Sequence, residues 1–265
     1  MAREGSGFVT GVADEGGAEY AGRHARFTTL AYRSVMRWLG VVMVLLSVEA
    51  AAKCSNEWYG VAPEPGVELP PSAHVLVTLG GKHQDLTPKL EFVAGPQKIA
   101  ATVVHTFDGM SQRLVLVKPA SPLPPGTWEL LLALPKESPP SRRFGPWKVK
   151  KEADSTPPSF VSAPSLGGTD WQEFGCGPGS TIDVKGVTAN EPVFVEAALT
   201  VEGKTTTAVL NPAGDVVGLG HGMCSGAFQL NPGAKGTVVL TALDYAGNRG
   251  AASAPITFTA PGPTK

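Results

Sequence analysis

The sequence predicts an all-β protein of two tandem antiparallel β-sandwiches behind an N-terminal signal peptide. Three observations carry this expectation: short apolar runs that recur between turn residues, a Pro-rich break near the middle, and a basic, apolar, small-residue stretch near the start. Gly (32) and Pro (24) together make up about 21% of the 265 residues, against a usual sum of about 12%. A chain so rich in turn formers, with 42% apolar and 17% charged residues, can bury a core and is built from many short elements. Its formal net charge of -1 excludes the basic balance of a typical nucleic-acid binder.

Residues 38–48 (WLGVVMVLLSV) carry no charge, follow Arg37, and precede Ala50, Ala51 and Ala52. The run is too short to span a bilayer, and the small residues suit a signal peptidase, so residues 1–52 are predicted to be a polar extension plus signal peptide cleaved after Ala52. Translation starting at Met1 and at Met36 are both compatible with this pattern. Cys54 is placed like a lipoprotein cysteine, but Lys53 stands where a small residue is expected, which favours a soluble exported chain. Membrane association is expected only if Cys54 is lipidated.

Asp154, Ser155, Thr156, Pro157 and Pro158 form a linker, because consecutive prolines fix φ, donate no backbone hydrogen bond and extend the residue before them. It separates a first sandwich (53–153) from a second (159–265), each near the usual size for that architecture. The first segment carries 12 basic and 9 acidic side chains, whereas residues 154–265 carry 5 and 9.

In the first segment, strands are predicted at 74–79 (HVLVTL), 90–93, 99–104 (IAATVV), 114–117, 127–134 (TWELLLAL) and 147–149. Turn signals such as Gly95-Pro96, Asp108-Gly109 and Pro124-Pro125-Gly126 punctuate them at hairpin spacing. In the second, strands are predicted at 181–184, 193–201 (VFVEAALTV), 205–210, 227–230, 237–243 and 256–259, and the alternation in 193–201 is the strand period. Helical periodicity is not sustained beyond two turns, which argues against βαβ enzyme folds.

The Pro63-Glu64-Pro65-Gly66 opening, the run at 74–79 and Leu123-Pro124-Pro125-Gly126-Thr127-Trp128-Glu129-Leu130 resemble the bacterial Ig-like domains of surface-layer and other exported proteins. Leu243-Asp244-Tyr245-Ala246-Gly247-Asn248 is similar to the D-x-A-G-N turn before the last strand of Ig-like or fibronectin-type-III-like modules. The resemblance covers most of 61–262 and implies adhesive, spacer or scaffolding roles, with no catalytic residues to transfer.

Several residues are candidates for more than packing. Cys176 and Cys224 would pair in an oxidising compartment, whereas the His221-x-x-Cys224 spacing lacks the four ligands of a structural zinc site. Cys54 is then left as a free thiol, an intermolecular link or a lipid site. Arg142, Arg143, Lys148, Lys150 and Lys151 read as a solvated edge strand or as a contact for an anionic partner. Trp58, Tyr59 and Trp171 are expected in loops and are the candidate carbohydrate contacts, while Trp128 is expected in the core. His74, His83, His105 and His221 adjoin no nucleophile motif. Residues 244–248 fall short of a calcium-loop pattern and read as a turn capped by Asp244. No cofactor, metal or catalytic residue is expected.

The sequence therefore points to an exported, non-enzymatic binding or scaffolding protein of the cell envelope or exterior, in the periplasm, on the outer surface or outside the cell. Its partner would be envelope polysaccharide or another envelope protein, and not nucleic acid. An accessory module of a secreted hydrolase, or a minor hydrolase itself, is the alternative from another class; a purely structural spacer is the third.

Overall fold

The computed structural model describes residues 58–83, 88–134, 141–174 and 177–263. The predicted signal peptide, Cys54 and Cys176 lie outside the described residues. Sixteen strands and one 3-10 turn (Gly81–His83) make the described chain all-β. The described residues belong to one compact unit.

The first half contributes β1 (Trp58–Ala62), β2 (Glu68–Leu69), β3 (Val75–Gly80), β4 (Lys89–Ala94), β5 (Gln97–Gly109), β6 (Gln112–Pro119), β7 (Gly126–Ala133) and β8 (Ser141–Val149). They form a single sheet in the order β1-β3-β6-β5-β4-β7-β8-β2. Strand β5 makes it fold on itself. Its first four residues pair with β4, and from Ala101 onward it pairs with β6. The register slips between Val103 and His105, and such a bulge sharpens the local twist that carries a strand from one layer to the other.

Between the two layers lies a core of Val75, Val77 and Leu79 from β3, Phe92 from β4, Val115 and Val117 from β6, and Trp128, Leu130 and Leu132 from β7, closed by Trp147. Both tryptophans have polar partners for their indole N–H groups. Trp128 donates to the Pro124 carbonyl at 2.9 Å, and Trp147 donates to the carbonyls of Pro63 and Glu64, each at 3.1 Å. The Pro-rich segments around them thus act as acceptors for buried donors, which would otherwise be costly to bury.

The second half has β9 (Ser165–Phe174), β10 (Gly177–Lys185), β11 (Val193–Val201), β12 (Lys204–Leu210), β13 (Val216–His221), β14 (Lys235–Asp244), β15 (Arg249–Ala252) and β16 (Ile256–Thr259). One sheet runs β13-β10-β9. The other runs β12-β11-β14-β15, with β16 also on β14. Ile182, Val184, Phe194, Ala197, Leu219 and Leu240 are among the side chains of its core.

That second core also contains Ala62, Leu76, Leu114 and Leu116 of the first half. The strand period explains how. Val75, Val77, Val115 and Val117 face one side of the β3–β6 layer, while Leu76, Leu114 and Leu116 face the other, where the second half lies. The β3–β6 layer is therefore buried on both faces.

Three sequence expectations are corrected. Residues 227–230 are not a strand: Ala227, Phe228 and Leu230 are buried in an irregular segment, where Gly226 bridges to Met110. Trp58 and Tyr59 lie on β1 and Trp171 on β9, not in loops. Strand β8 is not an edge at its C-terminal end, because β2 pairs with Lys148 and Val149 in parallel and covers it. The unforeseen strands β9 and β13 contain Gly167, Gly168, Gly218 and Gly220, which break up the apolar signal.

Candidate functional site

The most heavily built feature is the joint between the halves. Met110 and Gly226 exchange backbone hydrogen bonds at 2.8 and 3.0 Å, and the His74 amide donates to the Tyr245 carbonyl at 2.6 Å. Ser72 Oγ donates to the Ala246 carbonyl, and His105 Nε2 lies 3.2 Å from the Thr207 carbonyl. Phe107 meets Phe228 with ring centroids 5.5 Å apart. Tyr245 packs against both cores and tilts against Phe194.

The β14–β15 turn supplies much of this surface and is organised by one carboxylate. Asp244 is 1% exposed; its Oδ1 accepts from the amides of Ala246 and Asn248, and its Oδ2 accepts from Asn248 Nδ2. Asn248 Nδ2 also donates to the Asp154 carbonyl, tying the turn to the linker. Such a self-capped turn is the structure expected of Asp244 from sequence.

Asp154, Glu191 and Asp244 each bring a carboxylate oxygen within 4.8 Å of the others. Burial, followed by the charges of Asp154 and Asp244, raises Glu191 above its ordinary value, while Lys150 opposes the shift. A raised carboxyl makes ionised Glu191 unfavourable in the folded chain at neutral pH, and the penalty fades as pH falls through its folded-state value. Glu191→Gln is therefore expected to raise Tm at pH 7, with the gain shrinking in high salt and at acid pH, as thermal melts would show.

Asp215 organises the neighbouring loop. Its carboxylate accepts from the Thr188 hydroxyl at 2.7 Å and from the amides of Thr188 and Gly186, and these bonds hold its carboxyl below the ordinary value. Beside it is an open cleft of about 400 Å³ that includes Thr188, Glu191, Asn211 and Tyr245. A second cleft, of about 560 Å³, lies across the joint between Phe107, Met110, Leu199 and Phe228.

The basic residues predicted as one cluster are divided. Arg142 lies 5.2 Å over the Tyr59 ring, Arg143 donates to Glu129 at 2.7 Å, and Lys148 sits 3.0 Å from Glu68. These ion pairs are solvent-exposed and contribute little to stability. Lys148, Lys150 and Lys151 do share one feature, a cleft of about 620 Å³ that also contains Glu68, Thr127 and Glu152.

Of the candidate sugar contacts, Trp58 is 36% exposed and lies over Gly80, whereas Tyr59 is half-buried and stacks on His83 at 4.5 Å. Tyr59 Oη and His83 Nε2 are 2.7 Å apart. Trp171 is on a sheet of the other half, so the structure does not join it to the β1 pair in one strand or sheet. Trp128 is in the core, as expected.

The histidines fall in separate places: His74 and His105 at the joint, His83 under Tyr59, and His221 with Nδ1 3.0 Å from the Gly222 carbonyl. Cys224 follows β13, whose register against β10 pairs His221 with Ser180. The acidic trio and the joint were beyond sequence reasoning, because their members come from remote segments. One signal did exist: HVLVTL and LVLV are continuous apolar runs, the pattern of strands buried on both faces.

No family model matches the chain, and no curated protein matches it. Among solved structures, it is similar to titin domains Z1Z2 in complex with telethonin, at 15% identity over 79% of this chain and 99% of that chain, with a TM-score of 0.23. Fibronectin(III)-like modules of CbhA from Clostridium thermocellum match at 12% identity over 76% and 93% of the two chains, with a TM-score of 0.23. A pullulanase from Anoxybacillus sp. LM18-11, complexed with maltotriose, matches at 8% identity over 68% of this chain and 24% of that chain, with a TM-score of 0.24. Likeness at this level assigns no family, and the all-β architecture rests on the chain's own strand order.

Proposed function

We propose that the chain is an exported, non-catalytic binding and scaffolding protein of the cell envelope, made of two Ig-like sandwiches that work as one rigid block. The observation that carries this reading is the shared core: Leu76, Leu114 and Leu116 bury the outer face of one sheet in the other half. A block held this way keeps surfaces on both halves in fixed register, which is what a spacer or a two-sided adaptor needs. The apolar run at 38–48 with the alanines after it supports export, and the turn motifs at 123–130 and 243–248 support the Ig-like reading.

Within that reading, Lys148, Lys150 and Lys151 around their shared cleft are the contact for an anionic envelope polymer. Binding of the full chain to purified anionic envelope polysaccharide is the test, measured by titration at low and high salt. Affinity that falls steeply with salt and drops in Lys150→Gln/Lys151→Gln supports the reading. Absence of binding at low salt, or affinity indifferent to salt and to both substitutions, contradicts it.

Cys176 is the proposed partner of Cys224. Both cysteines lie in the second half, and paired cysteines close in the oxidising compartment that an exported chain meets. A bridge closing about 50 residues stabilises by about 4 kcal/mol in the chain-entropy model. Reduction is expected to lower Tm markedly, and peptide mapping under non-reducing conditions should recover Cys176 linked to Cys224. Recovery of Cys224 linked to Cys54 would reject this pairing.

A further inference from the structure

The joint between the halves holds an imidazole with no hydrogen-bond partner at one nitrogen. His74, just before β3, is 8% exposed, and its Nδ1 is buried without a partner. Its ring is pressed against the β14–β15 turn, so closely that a Cβ at Gly247 would lie 2.3 Å from His74 Cε1. Beside it is a cavity of about 160 Å³ walled by both halves, with His105 and Leu116 on one side and Glu196 and Arg249 on the other.

We propose that His74 is a proton-sensitive latch, closed while its ring is neutral and loosened when the ring gains a proton, so that acid weakens the joint between the two halves.

Packing explains why a proton is unwelcome there. An imidazolium in this position would lose its hydration, with the long-range repulsion of Lys118 on β6 added to that cost. Asp244, at the end of β14, acts in the opposite sense, but its carboxylate oxygens already accept from Ala246 and Asn248. The Ser72 and Tyr245 carbonyls also favour the proton. Glu196 of β11 and Arg249 of β15 form an ion pair with each other, and His105 of β5 lies near the Thr207 carbonyl. Burial first, then Lys118, holds His74 below its ordinary value of 6.5.

Once the joint opens, the hydrated ring takes up a proton near its ordinary value, while the closed ring resists until lower pH. The latch therefore contributes fully above about pH 6.5, and its contribution declines as pH falls from there, levelling off only below the closed-state value. The Met110–Gly226 bridge and the shared leucines carry no titratable side chain.

The test uses the full chain and amide hydrogen exchange, expressed as protection factors at pH 7.5 and 5.5, with imidazole NMR titration alongside. Protection of the His74, Met110 and Gly226 amides is expected to fall several-fold at the lower pH, and His74 should titrate below its ordinary value of 6.5. Lys118→Met removes an exposed charge without touching the ring, and is expected to raise the His74 midpoint and reduce the loss of protection. His74→Gln should make the joint indifferent to this pH change. Unchanged protection in the wild-type chain, or an equal loss in Lys118→Met despite a shifted His74 midpoint, would overturn the latch. Should His74→Gln fail to fold, the lysine variant and the titration decide.

Discussion

Leu116→Asp is expected to leave no folded protein at 25 °C. Leu116 is 2% exposed and belongs to the core of the half that it does not itself come from. Truncating a buried leucine costs about 2–5 kcal/mol. An unpaired carboxylate at the same place adds a desolvation penalty or forces protonation. Their sum reaches the range of about 5–15 kcal/mol that holds a typical domain together. Leu116→Ala should retain a folded chain with a clearly lowered Tm. Leu166→Asp is the control, because Leu166 is 43% exposed on β9, and a surface change of this kind typically stays within about 0.5 kcal/mol. Denaturant melts of the three variants test the ranking; a Leu116→Asp chain as stable as the Leu166→Asp control would refute the shared core.

Gly247→Ala is expected to be the second-largest loss, at about 2–4 kcal/mol, since two separate costs add. Gly247 has φ +93, a conformation that a side chain strains, and a Cβ there would collide with the buried His74 ring. The collision forces a shift of a side chain that is 8% exposed and whose backbone is held through its amide by the Tyr245 carbonyl. Gly203→Ala separates the two costs. Gly203 also has positive φ, at +78, but its Cβ would meet nothing within 4 Å, so this variant suffers the backbone strain alone. A Gly203→Ala loss equal to that of Gly247→Ala would show that the contact with His74 contributes nothing.

Much of the strand pattern was legible from apolar runs and turn residues. Val193–Val201 is found as predicted, because its alternation is uninterrupted by glycine and its bounds are marked by Pro192 and by the turn at Glu202 and Gly203. Strand β5 was foreseen only in its middle: Gln97 and Lys98 at one end and Thr106, Phe107 and Asp108 at the other carry no apolar alternation, and tertiary pairing with two different neighbours extends it. Strands β9 and β13 were missed for their glycines. Residues 227–230 failed in the opposite way, since burial of Phe228 at the joint explains their apolar character without a strand.

The site was less legible than the fold, and for a physical reason. A pair such as His74 and Gly247, or a trio such as Asp154, Glu191 and Asp244, is created by packing between segments far apart in the chain. Local propensity contains no record of it. The double-sided character of the β3–β6 layer is an exception, because its two continuous apolar runs announce burial on both faces. By contrast, the division of the basic residues between Tyr59, Glu129 and Glu68 depends on which strands become neighbours.

Scanning calorimetry of the full chain at pH 7.5, under non-reducing conditions, tests the central claim most directly. Two halves that share one core should unfold together, in a single transition whose calorimetric and van't Hoff enthalpies agree. Two resolved transitions, with Leu116→Ala shifting only one of them, would show that the halves fold independently and that the joint is a contact between separate modules.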